Sequence, residues 1–142
     1  NKQMVAGCKN SVIPSDGSVT SIGYGAFGNC AGLLNINIPN SITSIESYAF
    51  SGCTDLTSIE IPNSVTTIGS YAFNGCINAD TLTLPNGLTR IEDYTFKKCA
   101  KLDVIDIPAG VTSIGYEAFR ECSSLTSITI PDSVTNIGQY AF

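Results

Sequence analysis

The chain has 142 residues, the size of one domain, with 43% hydrophobic residues and only 13% charged ones, about half the usual share. A net charge of −5 argues against nucleic acid, which needs clustered Lys and Arg. No run reaches the roughly 18 apolar residues of a membrane-spanning helix, and the absence of histidine removes the commonest general base and metal ligand. With so few charges, Ser, Thr, Asn and Gly must cover the surface, which suits flat β-surfaces and turns.

Residues 1–18 read as an irregular lead-in. Asn1-Lys2-Gln3-Met4 has no signal-peptide core, and Val12-Ile13-Pro14 followed by Asp16-Gly17 is a truncated strand and a turn. Cys8 lies 22 residues before Cys30, and Pro14 lies 13 before Phe27 where later units have 11. This segment is expected to dock on the first full coil as a strand pair.

From residue 19 to 142 the chain is periodic. Phe27, Phe50, Phe73, Phe96, Phe119 and Phe142 follow each other at 23 residues. Cys30, Cys53, Cys76, Cys99 and Cys122 keep the same step, as do Pro39, Pro62, Pro85, Pro108 and Pro131. An unbroken period of this length predicts a stacked solenoid of five to six coils. The last unit stops at Phe142, in mid-repeat, so the chain is expected to be a piece of a longer protein.

The unit from Cys53 to Cys76 shows the chemistry. Ile59-Glu60-Ile61 alternates in and out, as a strand does. Pro62 removes a backbone donor and ends it, and Asn63-Ser64 is turn chemistry. Val65-Thr66-Thr67-Ile68 is β-branched and predicts a second short strand. Ser70 to Cys76 is too short for a free-standing helix and predicts a single helical or 3₁₀ turn. About eight side chains per unit point inward. One unit cannot offset the entropy of ordering its backbone, so stability must come from stacking parallel strands about 4.8 Å apart, with the phenylalanines as a spine.

The sequence Leu56-Thr57-Ser58-Ile59-Glu60-Ile61-Pro62-Asn63-Ser64-Val65-Thr66-Thr67-Ile68-Gly69-Ser70-Tyr71-Ala72-Phe73-Asn74-Gly75-Cys76 resembles the BspA-type, or treponemal-type, leucine-rich repeat, LxxIxIPxxVTxIGxYAFxxC. The resemblance covers about residues 17–142. It implies an α/β leucine-rich-repeat fold: a right-handed, β-dominated, curved solenoid with a parallel sheet on its concave side. It also implies a secreted or surface protein, mostly bacterial, with adhesion to host proteins, epithelial cells or other bacteria as the associated function.

The fourth unit departs most. Ala79 replaces the leading Leu, Leu82 and Leu84 replace isoleucines, and Thr95 replaces Ala. Ile77 is expected to refill the volume lost at Ala79. Arg90, Lys97, Lys98, Lys101 and Arg120 gather here, and Lys98 one coil below Glu121 suggests a surface ion pair. This is either a local binding patch or drift between repeats.

The six cysteines contain no CxxC pair. Stacked coils aim their Cβ vectors in parallel, not at one another, so buried reduced thiols are expected rather than disulfides or zinc. Glu60 and Asp106 share a repeat position two coils apart, with no implied pocket between them, so catalysis is not expected. Asp55, Asp80 and Asp103 read as solvated turn acids rather than a calcium site. No cofactor is expected.

Two stripes remain as candidate surfaces. The outward side of the main sheet carries Asn35, Asn37, Ser58, Glu60, Thr81, Thr83, Val104, Asp106, Ser127 and Thr129, a flat, polar, mildly acidic face suited to a protein or glycan partner. Tyr48, Tyr71, Tyr94 and Tyr140 form a second column, interrupted by Gly25 and Glu117, with Tyr24 and Tyr116 one position earlier. These rings are expected to pack over the coil edge. The functional expectation is a binding or adhesion module; a spacer, a self-associating module, or an accessory domain of a larger enzyme are the alternatives.

Overall fold

A computed structural model describes residues 2–4 and 11–142. The strands among them are short and parallel: β1 (Lys2–Met4), β2 (Val19–Ile22), β3 (Ser44–Ile45), β4 (Ser58–Glu60), β5 (Thr67–Ile68), β6 (Thr81–Thr83), β7 (Arg90–Ile91), β8 (Ser113–Ile114) and β9 (Asn136–Ile137). Coils 1 to 6 take their numbers from Phe27 to Phe142 in order. β1 adds to the edge of β2, with a register irregularity between Lys2 and Gln3, so residues 2–4 continue the stack. Cys8, one of the thiols expected to be buried and reduced, lies outside the described residues.

Each coil has three sides. The main strand, in the Ile-x-Ile segment, forms a two-stranded sheet, β4–β6, and an isolated bridge between Asp106 and Thr129. The second strand, in the Val-Thr-x-Ile segment, forms one sheet in the order β1-β2-β3-β5 and another in the order β7-β8-β9. Between the two strands, proline opens a turn: the carbonyl of Pro62 accepts the Val65 N–H at 3.0 Å, and Pro39, Pro85, Pro108 and Pro131 do the same in their coils. Threonine hydroxyls reinforce the second side, as where Thr43 Oγ1 donates to the Thr20 carbonyl at 3.2 Å.

The third side, Ser70 to Cys76 and its equivalents, holds no helix among the described residues. Tyr48, Tyr71, Tyr94, Glu117 and Tyr140 have φ between 51° and 60°, and a second left-handed residue (Asn29, Lys98 or Glu121 where it is not glycine) precedes the cysteine. Right-handed helical backbone cannot contain such residues. Their effect is to split the donors. The N–H groups of Ala49, Ser51 and Cys53 close turns onto Glu46, Tyr48 and Phe50, while those of Tyr48, Phe50 and Gly52 reach the next coil, at the carbonyls of Ser70, Ala72 and Asn74. A helical turn would turn its donors along its own axis and leave fewer to join the coils.

The interior is apolar. Phe27, Phe50, Phe73, Phe96 and Phe119 are buried, and the six rings stack with centroids 5.0–5.7 Å apart and planes within 17° of parallel. Cys30, Cys53, Cys76, Cys99 and Cys122 are buried and form no disulfide. Their thiols are not idle: Cys53 Sγ donates to the Phe27 carbonyl at 3.0 Å, and Cys76, Cys99 and Cys122 repeat the bond to Phe50, Phe73 and Phe96. Burial pushes the Cys122 thiol up to about 11 and raises those of Cys76 and Cys99 as well. Thr95, polar in an alanine position, is buried because its hydroxyl donates to the Glu92 carbonyl at 2.7 Å. Ile77, by contrast, is 42% exposed and does not fill the space beside Ala79; like Ala31 and Ser123 after their cysteines, it faces outward.

Replacing Phe73 by Ala removes the middle of the ring stack and should cost about 3–5 kcal/mol in urea unfolding. Gly115→Ala would place a Cβ 2.6 Å from the Asp93 backbone nitrogen, and should cost about 1–3 kcal/mol by overpacking. With a thiol-specific disulfide reagent near pH 8, at most one of the six cysteines should react in the folded protein and all six in denaturant.

Candidate binding face

The main strand places the predicted residues on one side because its pleat alternates. Ile38, Ile59, Ile61, Leu82, Leu84, Ile105 and Ile107 turn into the core. Asn35, Asn37, Glu60, Thr81, Thr83, Val104, Asp106, Ser127 and Thr129 are exposed, and Ser58 is half-buried. All ten sequence-predicted residues therefore share a face. β4 and β6 fix the register at its centre, pairing Ser58 with Thr81 and Glu60 with Thr83.

The face is not flat, as the sequence suggested. Where the main strands of coils 2 and 3 meet, the chain pairs at Thr57 N–H to the Leu34 carbonyl (3.1 Å) and then separates. The separation leaves a cleft of about 790 Å³ bounded by Asn35, Asn37, Asn40, Ser58, Glu60 and Asn63. A smaller cleft of about 220 Å³ lies between coils 4 and 5, beside Asp80, Asp103, Val104 and Asp106. Val104, 64% exposed, is the apolar exception on this face.

The tyrosine column behaves differently. Tyr48, Tyr71 and Tyr94 stack face to face, 4.6 and 4.3 Å between centroids. Tyr24 and Tyr116, one position out of register, still join it at 5.4 Å from Tyr48 and 5.2 Å from Tyr94, and Tyr140 lies 6.0 Å beyond Tyr116. The column is thus continuous across Gly25 and Glu117, and partial burial raises the phenol pKa values of Tyr48, Tyr71 and Tyr94.

Glu117, in the tyrosine position of coil 5, is the residue whose role the repeat alone does not reveal. It is buried, with Lys97 Nζ at 2.6 Å from one carboxylate oxygen and Arg120 at 2.6 Å from the other. The hydrogen bond from Lys97, aided by those from Tyr116 and Arg120, overcomes the opposing effect of burial and holds its carboxyl at about 2. Lys97 also lies 5.3 Å over the Tyr94 ring, and Arg120 5.7 Å over that of Tyr140. Arg90 pairs with Glu92. Three of the five clustered basic residues are thereby paired with acids, which removes most of the suggested basic patch. The expected Lys98–Glu121 ion pair is not among those formed by the described residues; the acid used is Glu117, reached diagonally from Lys97. Among the described residues no group of three or more Cys, Asp or Glu is placed to hold a metal ion.

A family model described as the BspA type leucine rich repeat region matches residues 7–142 in six copies. The chain is similar to the solved structure of a leucine rich cell surface protein from Faecalibacterium prausnitzii, at 36% identity and a TM-score of 0.85, over 92% of this chain and 38% of that one. It is similar to the leucine rich repeat protein of T. pallidum at 27% identity and a TM-score of 0.77, over 89% of this chain and 72% of that one. A leucine-rich repeat protein from Bacteroides ovatus matches at 32% identity and a TM-score of 0.72, over 91% of this chain and 39% of that one. The chain spans less than two-fifths of the length of the Faecalibacterium protein. No curated protein matches it.

The Glu117 cluster has a pH signature. Its carboxyl titrates near the ordinary 4.5 when unfolded and near 2 when folded, so the unfolded chain takes up the proton first as pH falls. The stability it contributes is present above about pH 4.5 and is lost between there and pH 2. Glu117→Gln should melt below the wild type at neutral pH, and the gap should close as pH approaches 2; an equal gap at both ends would show that the carboxylate is not held as described.

Proposed function

The chain belongs to the BspA-type leucine-rich-repeat family, and from that premise we propose that it is a binding module, displayed at a cell surface or secreted, that holds a macromolecular partner on its main sheet face. The observation that carries this reading is a contrast between two sides of the same solenoid. On the tyrosine side the rings stack on each other and the nearby charges pair internally. On the main face the side chains of Asn35, Asn37, Ser58, Glu60, Asp106 and Thr129 make no hydrogen bond or ion pair within the protein. Their polar atoms are turned to solvent from a backbone that the coils fix in register. Binding there loses little ordering entropy, because the lattice already sets the geometry.

The family supports an interaction role, and the cell-surface description of the Faecalibacterium protein supports the location. The reading is of a binder and not an enzyme, and it requires no cofactor. A chain without histidine, whose exposed acids are spread along a solenoid, suits recognition better than proton transfer.

Beads coated with the protein should adhere to epithelial monolayers or matrix-coated surfaces. Thr83→Lys combined with Asp106→Lys should reduce adhesion at least tenfold, while shifting stability by only about 0.5 kcal/mol, as exposed substitutions do. Tyr71→Ser, on the other side, should retain adhesion. Undiminished adhesion by the face variant would assign binding elsewhere.

A further inference from the structure

The cleft between coils 2 and 3 has a composition of its own, and from it we infer that it is a subsite for neutral oligosaccharide; this rests on the main face being the binding face. At about 790 Å³ it falls within the roughly 300–1,000 Å³ of small-ligand sites. Asn63 at its rim aside, three carboxamides, Asn35, Asn37 and Asn40, line it together with the Ser58 hydroxyl and the Glu60 carboxylate.

None of these five side chains has a partner in the protein. Three other carboxamides are engaged, Asn63 at the rim of the cleft and two outside it. Asn63 Oδ1 accepts from the Asn86 N–H at 2.9 Å, Asn74 donates to Ser51 at 3.4 Å, and Asn78 donates to the Thr54 carbonyl at 2.8 Å. Three asparagines without an internal partner therefore meet where the main strands separate.

The chemistry selects a class of ligand. A carboxamide offers two donors and one acceptor in a plane, and a carboxylate offers acceptors only. A vicinal diol, in which each hydroxyl both donates and accepts, matches such pairs. No Lys or Arg lines the cleft, so a sulfate, phosphate or uronate would meet Glu60 with no compensating cation. Half-buried Ile36 and Pro62 supply a flat apolar patch against which the C–H face of a pyranose ring can lie. A peptide would need a pocket for an aromatic or aliphatic anchor, and the cleft has none: no aromatic lines it, and Ile38 and Ile61 are buried. Its opening into the face leaves room for the rest of a glycan chain to continue over Thr83.

The test is an array of neutral hexose and N-acetylhexosamine oligosaccharides beside sialylated and sulfated ones, probed with the intact protein. Amide-detected NMR titration with any bound neutral glycan follows. Neutral glycans should bind, anionic ones should not, and the side-chain amides of Asn35, Asn37 and Asn40 should shift. Asn37→Leu should weaken binding at least tenfold with an unchanged melting curve. Should that variant lose its fold, the wild-type NMR map still decides the matter. Absence of binding at millimolar glycan, preference for anionic glycans, shifts confined to other coils, or binding of extended peptides instead would each overturn the inference. If Asp106→Lys blocks adhesion while no glycan binds, the binding face stands and the sugar subsite falls. If glycans bind but adhesion ignores the face variants, the reverse holds.

Discussion

The third side of the coil is the constraint on which the rest depends. Its ladder joins every pair of successive coils, from the Gly25 N–H reaching the Ser47 carbonyl to the Glu117 N–H reaching Gln139. It requires a left-handed residue at each tyrosine position, a conformation that costs a side-chain-bearing residue about 1–2 kcal/mol. Such strain persists only where the surroundings over-determine it. Here they do. The same segment stacks the phenylalanine on one side and the tyrosine on the other, and delivers the phenylalanine carbonyl to the thiol of the next coil. Losing the left-handed turn would uncouple all three columns together.

With that side always closed, the other two sides share the adjustment between coils. Coils 2 and 3 pair on the second side through β3–β5 and separate on the main face. Coils 3 and 4 do the opposite: β4 pairs with β6, while β5 and β7 belong to different sheets, and a cavity of about 230 Å³ opens beside Ile68 and Glu92. Coils 4 and 5 reverse again, with β7–β8 closed and the smaller cleft open on the main face. Coils 5 and 6 close on both, through β8–β9 and the single Asp106–Thr129 bridge. The clefts on the main face mark the junctions, coils 2–3 and 4–5, where the second side is paired and the main strands are not.

Much of this was legible in the sequence, because a strict period turns positions 23 apart into neighbours. The phenylalanine spine, the buried thiols, the parallel strands and the ten residues of the main face all follow from straight stacking plus the two-residue alternation of a strand. What stacking does not reveal is anything that runs diagonally. Lys97 meets Glu117 across 20 residues, and the thiols of Cys53, Cys76, Cys99 and Cys122 each meet a carbonyl 26 residues earlier. Straight stacking named Lys98 and Glu121 instead. The left-handed turns were concealed for another reason: tyrosine carries no local signal for positive φ, and Gly25 in the same column, with Gly52 and Gly75 before their cysteines, was the hint. The clefts arise from small tilts between nearly identical units, which leave no trace in residue identity.

The distribution of charge also separates the two sides. Most of the basic residues sit in coils 4 and 5, and three of them are occupied: Lys97 and Arg120 by Glu117, and Arg90 by Glu92. The acids of the main face, Glu60 and Asp106, form no such pairs. A surface charge that is internally paired contributes little to attracting a partner, whereas an unpaired one is free to orient its encounter. Both sides are built on the same rigid coils, yet on the tyrosine side those coils satisfy their own side chains and on the main face they do not. On the main face the lattice holds polar groups in place without giving them anything to hold, and the proposed binding role rests on that contrast.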